Sequence, residues 1–97
     1  MLTGKQRAYL RGLANGIETI GQIGKDGVTE SVISGADAAL KKRELIKMRV
    51  LDNSLLSARE ACDALCEALG AEPVQCIGTR FVIYRRGEEP KIEIPKK

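Results

Sequence analysis

The sequence predicts a single compact α/β domain whose helices and strands follow the order α-β-α-β-α-β-β. Three stretches of apolar residues at helical spacing alternate with short runs that read as strands, a pattern typical of α/β folds with parallel strand pairs. Only Gly78-Thr79 separates the last two strands, so we expect a hairpin that makes the four-stranded sheet mixed. A length of 97 residues with 43% hydrophobic residues fits one domain with a modest core.

Capping and turn signals mark the first helix and the first strand. Thr3 and Gln6 have the spacing of a capping box, so the first helix should begin near Gly4. Asn15-Gly16 is a natural helix stop, and residues 17–23 read as the first strand. The apolar face of this helix is predicted to consist of Tyr9, Leu10, Leu13 and Ala14.

The second helix and the second strand follow in residues 29–50. The apolar stripe of the helix predicts the range Thr29 to Lys42. In the strand that follows, every second residue from Ile46 to Val50 is apolar, which indicates one buried face. Lys47 and Arg49 alternate with these residues, so we expect them on an exposed cationic face of the sheet.

The third helix and the final hairpin complete the predicted domain, which covers residues 1–87. The helix is expected to run from about Leu55 to Leu69, with Gly70 ending it. Residues 73–77 and 80–85 read as the hairpin strands, and their aromatic residues are assigned to the core. Residues 88–97 are charged and contain two prolines, so they are predicted to form a tail, with residues 91–94 as an alternative edge strand. The predicted stripe of the third helix is Leu55, Ala58, Cys62, Leu65, Cys66 and Leu69.

The composition argues against catalysis, metal binding and membrane insertion. The chain has no histidine, the usual general base and the commonest metal ligand. Its three cysteines are expected to be reduced, and Cys62 and Cys66 lie on the apolar stripe of the third helix. The sequence shows no secretory signal and no apolar stretch near the about 20 residues that span a bilayer. We therefore expect a cytoplasmic, monomeric, non-enzymatic binding protein without a cofactor.

Two groups of residues are candidates for contacting an anionic partner. Gly24-Lys25-Asp26-Gly27 joins the first strand to the second helix, and such a glycine-rich turn beside a helix N-terminus can hold a phosphate. The carboxylate of Asp26 would repel a phosphate unless its side chain turns away. The alternative is that residues 24–27 form an ordinary turn between the strand and the helix. The second group is the cations of the first helix, Lys5, Arg7 and Arg11. Residues 1–17 contain no acidic residue that could pair with them, which favours contact with an anionic partner. The alternative is that they form a solvated helix face.

These residues resemble the CRM domain, also called the YhbY-like RNA-binding domain. The resemblance covers about residues 2–86 and rests on several motifs in the same order. They are Gly4-Lys5-Gln6-Arg7, Leu10-Arg11, Ile23-Gly24-Lys25-Asp26-Gly27-Val28, Glu44-Leu45-Ile46-Lys47, Val74-Gln75, Ile77-Gly78 and Tyr84-Arg85.

The resemblance implies a fold similar to the C-terminal domain of bacterial translation initiation factor three. It also implies RNA binding and, for a stand-alone bacterial member, association with precursors of the large ribosomal subunit. It makes the GxxG loop an RNA-contacting element like the loop of KH domains. Arg43 and Arg85 are lesser candidates for RNA contact, as are Lys47 and Arg49. The alternative function is a protein-interaction adaptor whose basic surface meets an acidic partner.

Overall fold

The computed structural model describes residues 2–87 and residue 92. Within these residues, helices and strands follow the predicted order. The predicted tail, and the alternative edge strand inside it, lie outside the described residues apart from Ile92. The elements are α1 (Gly4–Ala14), β1 (Thr19–Ile23), α2 (Glu30–Arg43), β2 (Leu45–Val50), α3 (Ala58–Leu69), β3 (Glu72–Ile77) and β4 (Arg80–Tyr84).

The strands form one mixed sheet in the spatial order β1-β2-β4-β3. β1 runs parallel to β2, and β4 runs antiparallel to both of its neighbours. The parallel pair needs a crossover connection, which α2 provides. The predicted mixed four-stranded sheet is therefore confirmed, and the observed order places β4 in the interior of the sheet.

Helices pack against both faces of this sheet. α2 and α3 cover one face, and α1 packs on the other against β2 and β3. Side chains alternate along β4, so Phe81 and Ile83 enter the core under α2 and α3, while Val82 and Tyr84 meet α1. Both aromatic residues of β4 are buried, as predicted. The core under α1, which we call the small core, consists of Leu2, Leu10, Ala14, Leu45, Val74, Val82 and Tyr84.

The third helix begins later than its apolar pattern predicts. Its N-cap is Ser57, whose hydroxyl accepts from the Glu60 N–H (3.1 Å), while the Glu60 carboxylate accepts from the Ser57 N–H (3.0 Å). This capping box fixes the first helical residue as Ala58. Leu55 therefore lies outside the helix and is 91% exposed, so its predicted place in the core stripe is wrong.

The first helix buries a narrower face than predicted. Its predicted capping box is confirmed, since the Gln6 N–H donates to the Thr3 hydroxyl and the Thr3 N–H donates to the Gln6 side chain. Leu10 and Ala14 are buried, but Tyr9 is 43% exposed and Leu13 is 38% exposed. α1 thus contacts the sheet along one line of residues, and the flanks of its apolar stripe face outward.

A buried acidic residue, Glu44, joins α2 to β2. It is 1% exposed and has a φ of 64°, a conformation that residues other than glycine rarely adopt. Its carboxylate accepts hydrogen bonds from the backbone N–H groups of Gly87 (2.6 Å) and Ile92 (2.9 Å). The pKa of Tyr84 is raised mainly because Tyr84 is buried, and the negative charge of Glu44 raises it further. Glu44 therefore ties Gly87 and Ile92 to the junction between α2 and β2.

Candidate nucleic-acid interface

The glycine loop, residues 24–27, forms a tight turn between β1 and α2. The Gly27 N–H donates to the carbonyl oxygen of Gly24 (3.0 Å), which leaves Lys25 and Asp26 exposed at the tip. Gly27 has a φ of 71°, as expected for a glycine with a backbone role. Thr29 then caps α2 by accepting from the Val32 N–H (3.2 Å). The loop therefore exposes Lys25 five residues before the start of a 14-residue helix.

We expect Gly27→Val to lower the free energy of unfolding by about 1–3 kcal/mol, because a β-branched residue is strained at positive φ. A Cβ atom at Gly27 would also lie 3.4 Å from a methyl group of Leu56. Gly35 is the matched control, since a Cβ atom in this interior turn of α2 meets nothing within 4 Å. Gly35→Ala should raise stability by up to about 1 kcal/mol. Urea denaturation measures both variants, and equal effects would contradict the assigned backbone role.

The cations of α1 differ in their surroundings. Lys5 and Arg11 are exposed, whereas Arg7 is half-buried. The Nε–H of Arg7 donates to the carbonyl oxygen of Pro73 at the start of β3 (3.2 Å). Arg7 thus also fastens α1 to the sheet, which the sequence did not indicate.

The two predicted sheet cations lie on the face that α1 covers in part. Lys47 is opposite Val82 of the small core, and directly opposed residues project from the same face. Both Lys47 and Arg49 are half-buried, which corrects the predicted exposed cationic face. The reason is that α1 packs over one end of this face, on the small core.

Lys47 and Arg49 connect the end of the sheet under α1 with the end at the glycine loop. Leu45 lies beneath α1, and Arg49 is four residues further along β2, about 13 Å away. Arg49 lies opposite Gln22 of β1, and the glycine loop begins two residues after Gln22. The sheet cations therefore occupy the space between the two predicted contact elements.

Arg80 joins this group, although the sequence did not single it out. It opens β4 directly opposite Arg49 and is exposed. The alternation that starts at Arg80 could have placed it on the same face as Val82. Its position beside Arg49 depends on the strand order, which the sequence leaves open.

The two lesser candidates have different surroundings. Arg43 is exposed at the end of α2 and lines a groove of about 340 Å³ with Leu13 and Ile17. The Arg85 guanidinium donates to the carboxylate of Asp37 (2.8 Å) and to the carbonyl oxygen of Leu69 (3.1 Å). Hydrogen bonds from Arg85 and then Lys41 lower the pKa of Asp37. Arg85 thus fastens the end of β4 to α2 and α3.

The thiols lie within the core, as predicted for structural cysteines. Cys62 is buried in the core under α2 and α3, and Cys66 and Cys76 pack against that core. A hydrogen bond to Cys62, followed by burial, raises the pKa of Cys66, and burial raises the pKa of Cys76. Among residues 2–87 and 92, no cluster of three potential metal ligands occurs, and no helix is long and apolar enough to cross a membrane.

Comparisons with known proteins place these features in a family. The family model of the CRS1 / YhbY (CRM) domain matches residues 2–85. The protein named "Probable RNA-binding protein YqeI" of Bacillus subtilis (strain 168) is 41% identical over 96 residues, which cover 98% of this chain and all of that protein. A protein of Haemophilus influenzae named "RNA-binding protein" is 35% identical over 96 residues, covering 99% of this chain and 97% of that protein.

A solved structure has the same fold. The solution structure of the hypothetical protein SAV1595 from Staphylococcus aureus superposes with a TM-score of 0.82 and is 49% identical in sequence. The match covers 98% of this chain and all of that chain. The three-layer arrangement of α1, the sheet, and α2 with α3 is therefore shared with a relative that matches over its whole chain.

Proposed function

The chain belongs to the CRS1 / YhbY (CRM) domain family, and from this premise we propose that it binds structured RNA, mainly through phosphates. The contact surface consists of α1, the glycine loop and the cationic sheet face between them. Its cations are Lys5, Arg7, Arg11, Lys25, Lys47, Arg49 and Arg80. Gly24, Asp26 and Gly27 shape the loop, Arg43 stays a predicted contact at the edge, and Arg85 is left out because Asp37 holds its guanidinium.

The uneven pairing of charges supports this surface. In the described part of the chain, ion pairs join Lys41 and Arg85 to Asp37 and join Arg59 to Asp63. All three pairs involve α2 or α3, on the far side of the sheet. None of them involves a cation of the proposed surface, so these cations make no ion pair within residues 2–87 and 92. Such a surface attracts a polyanion and releases its counterions.

The proposed mechanism is positioning and charge neutralisation rather than catalysis. Phosphate contacts hold a protein on RNA without reading sequence, and they weaken as salt increases. The glycine loop lets the chain approach the RNA backbone closely, and Lys25 supplies a charge beside the α2 N-terminus. Asp26 must turn away from the phosphate for this contact to form.

We expect Lys25→Ala to weaken the binding of a structured RNA without changing thermal stability. Removing one phosphate contact should reduce the slope of log affinity against log salt by about one unit at most. Arg59→Ala is the matched control, because it removes an exposed cation from α3 on the other side of the sheet. Fluorescence anisotropy across a salt series measures both variants. Binding by the Lys25 variant as tight as wild type at every salt concentration excludes the loop as the contact.

For the partner we propose ribosomal RNA in precursors of the large subunit, with the protein acting as a cytoplasmic monomer. The RNA-binding names of the relatives support an RNA partner over an acidic protein, and the cations of the proposed surface, which make no ion pair among the described residues, suit an extended polyanion. Cell extracts sedimented on a sucrose gradient test this. We expect the protein to sediment with large-subunit precursors and to leave those fractions after RNase treatment. Co-sedimentation that survives RNase supports the adaptor function instead.

A further inference from the structure

A polar basin of about 480 Å³ lies on the part of the sheet face that α1 leaves open. We call it the sheet basin. Its volume is in the range of sites that hold small ligands. It spans three neighbouring strands, because Gln22, Arg49 and Arg80 lie directly opposite one another in β1, β2 and β4. Its lining consists of Thr19, Ile20, Gly21, Gln22, Arg49 and Arg80.

The charges of the sheet basin are those of an anion site. Arg49 and Arg80 face each other across adjacent strands, and directly opposed like charges destabilise a sheet. The lining contains no acidic residue that could balance them. In addition, the Nε atom of Arg49 is buried and has no hydrogen-bond partner among the described residues. A buried donor without a partner is rare in folded proteins and marks stored strain or a binding role.

The rest of the lining is suited to more than a phosphate. Gln22 offers an amide with both donors and an acceptor, and Thr19 offers a hydroxyl. Ile20 adds an apolar surface and is 40% exposed. An amide, a hydroxyl and an apolar surface beside two guanidinium groups match the base, the ribose and the phosphate of one nucleotide.

We propose that the sheet basin binds one unpaired ribonucleotide of the RNA, with its phosphate at Arg49 and Arg80 and its base at Ile20 and Gln22. The proposal rests on the proposed RNA binding and names the part of the RNA that this site takes. A base stacked inside a duplex cannot enter a concave site, whereas a base in a loop, bulge or junction can. The protein therefore prefers RNA that presents unpaired nucleotides near a structured element.

The test compares two RNA probes, single-stranded hexauridylate and a blunt duplex of twelve base pairs. Fluorescence anisotropy at low salt measures the affinity of wild type, Arg80→Gln and Gln22→Ala for each probe. We expect Gln22→Ala to lose about tenfold in affinity for hexauridylate and to bind the duplex nearly as wild type does, whereas Arg80→Gln, which also removes a phosphate contact, should lose clearly more affinity for hexauridylate than for the duplex. Arg59→Gln, the control on α3, should change neither affinity beyond a small effect of net charge.

Thermal unfolding supplies a second readout. Arg80→Gln should raise the Tm by about 2 °C at low salt, because it removes the repulsion from Arg49. A lower Tm accompanied by weaker binding would mean damage to the fold, and it overturns the proposal. Equal losses of affinity for hexauridylate and for the duplex also overturn the proposal, because they reflect net charge alone. Unchanged affinity for hexauridylate overturns it as well.

The two proposals fail in different ways. If wild type binds the duplex but not hexauridylate, the sheet basin is not a nucleotide site, and RNA binding through phosphates stands. If wild type binds neither these probes nor ribosomal RNA, the proposed function itself is wrong.

Discussion

Replacing Arg7 and Arg11 together by Glu is expected to reduce the affinity for structured RNA by about a hundredfold at low salt. The two residues are four apart on α1 and so share one side of the helix. Each reversal replaces attraction to phosphate by repulsion, and the loss should shrink as added salt screens the charges. Anisotropy measurements across a salt series with a structured ribosomal RNA fragment provide the check.

The structure also fixes what this double variant does to stability. Arg7 donates to the carbonyl oxygen of Pro73, so its loss should cost about 1 kcal/mol of unfolding free energy. Arg11 is exposed, and Arg11→Glu alone should be nearly neutral for stability while still weakening RNA binding. Arg59→Glu is the matched single reversal on α3. If Arg11→Glu and Arg59→Glu weaken binding equally, the RNA responds only to net charge, and the assignment of the α1 surface is wrong.

The largest effect on stability is expected from Glu44→Ala, which should lower the free energy of unfolding by about 3 kcal/mol. The backbone N–H groups of Gly87 and Ile92 both donate to this buried carboxylate, and the alanine leaves them without that partner. For a domain of this size the loss corresponds to a fall in Tm of about 15 °C. Calorimetry or thermal circular dichroism measures it.

Two comparisons separate the hydrogen bonds of Glu44 from its backbone conformation. Glu44→Gly also removes the carboxylate but suits the φ of 64°, so it should be less destabilised than Glu44→Ala. Glu67→Ala, at an exposed position of α3, should stay within about 0.5 kcal/mol of wild type. A Glu44→Ala protein as stable as the Glu67→Ala protein would show that the hydrogen bonds from Gly87 and Ile92 to the carboxylate contribute nothing to stability.

Local signals in the sequence predicted most element boundaries. The capping box at Thr3 and the glycine at Gly70 set helix ends that depend only on neighbouring residues, and both are confirmed. The apolar pattern alone extends α3 back to Leu55, whereas the capping box of Ser57 and Glu60 is the signal that sets its true start. Helical periodicity also does not reveal how wide a face of a helix is covered, so it predicts Tyr9 and Leu13 in the core although both are exposed.

The candidate interface was only partly predictable because its members come together through strand order. Lys25 and the cations of α1 can be found from local sequence, since each lies within one short element. Arg49 and Arg80, which are 31 positions apart in the chain, become neighbours only because β4 lies beside β2. The hydrogen bond between Arg85 and Asp37 joins residues 48 apart, and no sequence pattern indicates it.

The interior position of β4 has a consequence for the protein during its synthesis. β4 comes last among the described strands, yet it pairs with both β2 and β3. β4 joins β2 to β3 in the sheet. Until residue 84 has left the ribosomal exit tunnel, the pair β1 and β2 therefore cannot form one sheet with β3. The nascent chain consequently carries Arg49 without Arg80 beside it and exposes apolar residues of both cores. The proposed RNA surface is therefore complete only after β4 has inserted between β2 and β3. We expect RNA binding to begin late, after synthesis of the final hairpin.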